Sequence, residues 1–212
     1  MPENTAENLP NNQNNLFVFN SRQDYLPWIL IFGVLIFTVF QLYFQERIWW
    51  CKWDTPLYFG TFDAWSKHTS QHFIDPYFFT HVLHGFLFLW ILHLIFNTIF
   101  KVKISKAWLL FIAVFAESAW EILENSPSVI ARYRENTASL DYFGDSIANS
   151  AGDIFACALG FIIAYELKFW RSLLLFLIIE IVLILTINDS LLINIIMLIY
   201  PLEAIKMWQT GG

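Results

Sequence analysis

Hydrophobic positions in this chain are gathered into runs rather than spread evenly. The runs are about 18–23 residues long, the length a helix needs to cross a hydrocarbon layer of about 30 Å. They predict an all-α fold: a polytopic transmembrane helix bundle of five to six spans, forming one domain over residues 27–208. The expected spans lie near residues 27–44, 77–100, 107–123, 146–167 and 169–187. A last apolar stretch, LLINIIMLIYPL, is shorter and holds Asn194. It reads as a sixth span near residues 190–207, or else as a re-entrant or interfacial helix; the sixth span is favoured.

Polar positions then set the orientation. The loop KVKISK carries Lys101, Lys103 and Lys106 with no acid, and the turn between the fourth and fifth spans carries Lys168 and Arg171. Both are expected in the cytoplasm by the positive-inside rule. The N-terminus then lies inside, as does Lys206 if there are six spans. The outer loops, 45–76 and 124–145, hold Arg47, Lys52, Lys67, Arg132 and Arg134 among acids. Trp49, Trp50, Trp53 and Trp65 suit a loop lying along the headgroup layer. Residues 1–26 are polar, and the first twenty include seven Asn, which favours a disordered cytoplasmic tail. The run from Pro27 is too long for a signal-peptide core and reads as an uncleaved span.

Composition sharpens this picture. The chain is 57% hydrophobic and 14% charged, against about 45–50% and about 25% in soluble domains. A net charge of −6 without a basic stripe argues against a nucleic-acid partner. Cys51 and Cys157 have no Cys or His neighbour at metal-ligand spacing, so neither a disulfide nor a zinc knuckle is expected. No internal repeat supports an inverted-repeat transporter.

The candidate chemistry lies within the spans. Glu117, Glu121 and Glu124 are spaced by four and three and share one helix face. Asp145, Asn149 and Asp153 make a second stripe, and His81 and His84 a third face, all in the outer halves of their helices. A charged acid at mid-bilayer costs about 2.5–3.5 kcal/mol. Five would cost on the order of 10 kcal/mol if bare and central, so protons, a cation, basic partners or a water-filled cavity must offset them. Carboxylate with imidazole suits zinc, iron or manganese. The candidate metal ligands are Glu117, Glu121, Glu124, Asp145, Asp153, His81 and His84. Arg132, Arg134 and Asn149 are the candidate substrate-binding residues. The plainer alternative is protonated acids gluing helices together through Ser and Asn. Glu180 reads as such an acid facing the bundle. His68 and His72 read as a solvated or interfacial pair, and the Ala and Gly residues of the fourth span as packing.

The blocks TSQHFIDPY, HVLHG, ESAWEILENS, RYRENT and DYFGDSIANSAGD resemble those of an uncharacterised, unknown-function family of small bacterial multi-pass inner-membrane proteins. The resemblance runs from about residue 66 to residue 166. It implies a bacterial inner-membrane location and no established activity, and it carries over no functional residues. A looser similarity is to VanZ-like membrane proteins, which place acids at the end of one span and a Gly-Asp and Asn pattern at the start of the next.

Three functions fit these residues. The first is a metal-dependent hydrolase or transferase acting on a lipid or lipid-linked envelope substrate, with Glu117, Glu121, His84 and Asp153 as its catalytic groups. The second is a proton- or cation-coupled transporter. The third is a non-catalytic membrane scaffold. The apolar sequence inward of Asp153 and Glu117 suits a one-sided cavity better than a channel, which places the enzyme first.

Overall fold

Breaks in the apolar runs decide where each helix stops. The computed structural model describes residues 22–53, 59–137 and 142–211, and every regular element among them is helical. The elements are α1 (Arg22–Phe44), α2 (Phe78–His93), α3 (Lys106–Glu124), α4 (Pro127–Asn136), α5 (Ile147–Ile187), α6 (Leu191–Ile199) and α7 (Glu203–Gln209). A π-helical turn, Leu94–Ile99, prolongs α2. Three segments are long and apolar enough to cross a membrane: Tyr25–Phe44, Phe78–Ile99 and Ile147–Ile187. Most of the expected N-terminal tail lies outside the described residues. α1 itself begins at Arg22, with Pro27 inside it.

α5 has 41 residues, which as a straight rod would reach about 60 Å, twice a hydrocarbon layer. It is not straight. Lys168 takes φ 62° and ψ 173°, a conformation that costs an L-residue roughly 1–3 kcal/mol and stops the helix. The chain reverses there. Before the break, the Tyr165 ring lies 6.1 Å from the His93 ring. After it, Trp90 donates to the Ser172 hydroxyl at 3.1 Å. At the far end the Tyr77 hydroxyl donates to Asp189 at 3.2 Å. The arms 147–167 and 169–187 therefore run antiparallel, both packed against α2.

One end of the bundle gathers lysines. Lys106 meets Glu166 at 2.5 Å and lies over the Tyr165 ring. The other end gathers loops. Ser146 donates its N–H to Ser70, Ile147 to Ile48, and Gln45 reaches the Ile122 carbonyl. These contacts make α1, α2, α3 and the two arms of α5 five rods that alternate in direction between a lysine end and a loop end.

The stretch at 190–207 corrects the favoured sixth span. It forms two helices of 9 and 7 residues, roughly 14 and 11 Å long, too short to cross. Pro201 lacks an N–H and drives Tyr200 out of the helical region, to φ −138° and ψ 86°. Both helices stay at the loop end, tied to α4: Arg132 donates to the Leu198 and Ile199 carbonyls, and Lys206 to the Glu135 carbonyl. Lys206 is therefore at the opposite end from Lys106 and Lys168.

On the first α5 arm Gly160 faces α2, and Gly152 faces Phe73 in the loop before it. A Cβ on Gly160 would stand 2.0 Å from the Val82 carbonyl oxygen, and one on Gly85 would stand 2.1 Å from the Cys157 carbonyl oxygen. Only glycine permits this backbone-to-backbone approach. The stripe reads as packing in the sequence, and it packs α5 onto α2. Around this seam Leu83, Phe86, Leu89, Leu110, Ala113 and Phe161 are buried and fill the half nearer the lysine end.

Candidate functional site

Glu117 lies at the centre of the loop-end half. It is fully buried on α3 and faces α2. His81 Nδ1 meets Glu117 Oε1 at 2.5 Å, and His84 Nδ1 stands 3.0 Å from both carboxylate oxygens. The spacing of three puts both imidazoles on one face of α2, as the sequence implies. Glu121, one turn along α3, is also fully buried, with Oε1 3.5 Å from His81 Nδ1. Among the described residues, neither Glu121 oxygen has a hydrogen-bond donor. Asp153, on the first arm of α5, points Oδ2 at His81 Nε2 from 4.0 Å, and its Oδ1 is buried and also lacks a donor. Three helices thus converge on His81.

A second layer lies nearer the loops. Asp145 accepts from the Asn125 amide and the Tyr142 hydroxyl, each at 2.9 Å, and its own N–H donates to Asn125 at 2.7 Å. This ties the end of α3 to the start of α5. Asn149 spends its amide on the His72 carbonyl at 2.8 Å. Glu124 and Tyr133 of α4 both line the adjoining cavity. Burial lifts the Asp145 and Asp75 carboxyls above their usual range, and holds the Tyr133 and Tyr142 hydroxyls protonated, well above theirs.

A cavity of about 1170 Å³ opens beside these groups, larger than the roughly 300–1,000 Å³ of most small-molecule sites. Its polar wall includes His81, His84, Asp75, Glu124, Asp145 and Asp153. Its apolar wall runs along Leu87, Phe88, Ile91 and Trp120, and the mouth carries Lys52 and Lys67. Glu117 and Glu121 are not on the surface of the cavity. They stand behind the two imidazoles.

Donor atoms of His81, His84 and Glu117 lie within 4.8 Å of one another, as do those of His81, Glu121 and Glu124. The chemistry of these sets, imidazole with carboxylate, fits a divalent metal. Asp145 stands apart from both sets, held by Asn125 and Tyr142. Arg132 and Arg134, the candidate substrate-binding cations, do not themselves line the cavity: Arg132 donates to carbonyls at the end of α6, and Arg134 lies 4.9 Å over the ring of Phe143, which does.

A family model described as a protein of unknown function, DUF2585, matches residues 42–211. The chain belongs to this family. The DUF2585 match takes in α2 to α7 and so every residue of the cluster, well beyond the blocks at 66–166. Among the relatives is a UPF0314 protein of Brucella anthropi, 39% identical over 187 residues, covering 86% of this chain and 90% of the relative. Another, from Rhizobium meliloti, is 41% identical over 192 residues, 87% of this chain and 91% of the relative. A third, from Paracoccus denitrificans, is 44% identical over 149 residues, 70% and 75% of the two chains. No solved structure matches the chain.

Three groups at the site were not singled out from the sequence. Asp75 accepts the N–H of Phe78 at 3.1 Å and of Ser70 at 2.8 Å; an Asp-Pro step before an apolar run is a helix-start signal that could have found it. Tyr142 is set by a loop, which no periodicity announces. Cys157 is fully buried one helical turn beyond Asp153, and a lone cysteine inside an apolar run gave no signal of its own.

Proposed function

We propose that this chain is a multi-pass protein of the bacterial inner membrane whose five rods, α1, α2, α3 and the two arms of α5, each cross the bilayer. By lysine placement the N-terminus is cytoplasmic and the cavity opens to the periplasm. We further propose a metal-dependent hydrolase or transferase acting on a lipid or lipid-linked envelope substrate. One observation carries the reading: Glu121 is a fully buried carboxylate with no donor on either oxygen among the described residues, beside two imidazoles and a large half-apolar cavity. Leaving such a group unsatisfied costs about 1–3 kcal/mol or more, and a divalent cation held by His81, Glu121 and Glu124 offsets that cost. Zinc, iron and manganese all suit these donors.

The roles follow from position. The bound metal would supply an activated water or a polarised phosphoryl oxygen. His84 lies at the cavity wall and is placed to carry a proton to or from a substrate oxygen, with Glu117 holding its ring. Asp153 is the acid facing the cavity from the opposite helix. Leu87, Phe88 and Ile91 line a slot suited to a hydrocarbon chain, and Lys52 and Lys67 at the mouth suit an anionic headgroup better than Arg132 and Arg134 do. The transport reading is weaker, because the packed core around Phe86 and Phe161 leaves no polar path to the lysine end. Glu180, which would extend such a path, is used elsewhere, as described below.

The test is turnover by the purified protein. Incubated with a bacterial polar-lipid extract and added zinc or manganese, the wild type should convert at least one phospholipid or lipid-linked species, read by mass spectrometry. H84Q and D153N should reduce conversion at least a hundredfold. An extract left unchanged by the metal-loaded wild type contradicts the proposal.

A further inference from the structure

The loop between α1 and α2 gathers three metal-ligating side chains outside the acid cluster. Cys51 Sγ stands 3.3 Å from His68 Nδ1. One donor atom from each of Cys51, His68 and His72 lies within 4.8 Å of the other two. Ligands of a tetrahedral zinc, with bonds of about 2.3 Å to sulfur and 2.0–2.1 Å to nitrogen, stand roughly 3.3–3.6 Å apart. The Cys–His pair is already at that separation, and the third donor needs a movement on the order of 1 Å.

The surroundings hold these groups in place. His72 is fully buried, with the Trp50 ring set edge-on at 5.7 Å and the His68 ring at 5.5 Å. The His pair is four residues apart but not on a helix. Consecutive turns, with Gln71 donating to the His68 carbonyl and Ser70 at φ 62°, bring the two imidazoles to the same side. Cys51 comes from 17 residues earlier, so no compact sequence motif marks the site.

We propose that Cys51, His68 and His72 form a soft-metal site that takes zinc, with water as the fourth ligand. On binding, the Cys51 thiol releases its proton to solvent and the imidazoles bind as neutral rings. Its donor set differs from that of the acid cluster: a thiolate with two imidazoles favours zinc over magnesium or calcium. The metal would clip the ends of the loop together. That loop walls the cavity, and the His72 carbonyl is fixed to Asn149 of α5, so the clip also steadies the mouth. The inference does not depend on the catalytic reading.

The test uses the full-length protein in detergent, stripped with chelator and titrated with cobalt(II) alone. A thiolate-to-cobalt charge-transfer band should appear and saturate, at one equivalent where E121Q has removed the competing acid cluster. It should persist in E121Q, which alters only the acid cluster, and in C157S, which removes the other thiol. C51S should abolish it. A wild type without the band, or a band unchanged by C51S, overturns the proposal. A second measurement avoids any folding defect in C51S. In C157S, Cys51 is the sole thiol, and zinc should slow its maleimide labelling at least tenfold; labelling at the same rate with and without zinc overturns the proposal.

Discussion

Glu180 and Glu121 are both buried acids on long apolar helices, and they differ in what meets them. Glu180, on the second arm of α5, accepts the N–H groups of Leu191 at 3.0 Å and Leu192 at 3.4 Å. It thereby caps the first turn of α6, where backbone donors have no intrahelical partner. The Glu121 carboxylate accepts nothing from the described residues. Burial and apolar context are the same for the two, so neither distinguishes a structural acid from a functional one. The distinguishing observation is whether the fold itself supplies the donors. At Glu180 it does, and the acid is part of the architecture. At Glu121 no described residue supplies a donor to the carboxylate.

The comparison can be broken most sharply through stability. Asp189, beside the Glu180 corner, is held by burial at a pKa of about 7, against 3.8 for a free Asp. Its raised pKa means the fold prefers the protonated acid, while the unfolded chain ionises first. Stability is therefore fully present below about pH 4 and falls as pH rises towards 7, by up to about 4 kcal/mol at roughly 1.4 kcal/mol per unit. Denaturation in detergent at pH 5 and pH 8 should show the part of this loss that falls above pH 5, about 3 kcal/mol, and D189N should remove that share of it. If D189N leaves the pH dependence unchanged, the Glu180 corner is not the titrating structural unit described here.

Glu180→Ala comes next. It strands two N–H groups and should destabilise by about 1–3 kcal/mol. Glu121→Leu in chelated protein should change stability by less than about 1 kcal/mol, or raise it, because it removes an unsatisfied group. Equal losses at the two positions would erase the distinction. The smallest effect is expected at Arg132→Ala. Its hydrogen bonds to α6 are exposed and should contribute under about 1 kcal/mol, with no change in lipid conversion; a large loss of conversion would return Arg132 to the substrate site.

Much of the fold was legible because lipid imposes long runs that need no partner to be recognised. The reversal at Lys168 was readable as a basic turn between two such runs. The misread end, 190–207, shows the limit: hydropathy records that LLINIIMLIYPL is apolar, but Pro201 decides that it cannot continue as one rod. The convergence of Glu117, Glu121, His81 and Asp153 was readable from spacing and depth. The division of labour among them was not. Which acids stand on the cavity and which stand behind the imidazoles depends on helix rotation, and that is set by Gly85 and Gly160 pressing α2 against α5. The Cys51, His68 and His72 cluster was hidden for a related reason: turns assembled it, and turns have no period.

The central claim is that the acid and imidazole cluster at Glu121 is a cation site rather than a set of interhelical hydrogen bonds. Elemental analysis in the C51S background tests it most directly, since the loop site is then excluded. The account predicts close to one equivalent of zinc, iron or manganese in C51S, less than a tenth of that in C51S/E121Q, and full retention in C51S/E180Q. Metal-free C51S protein after reconstitution with each ion, or equal metal in all three proteins, would contradict it.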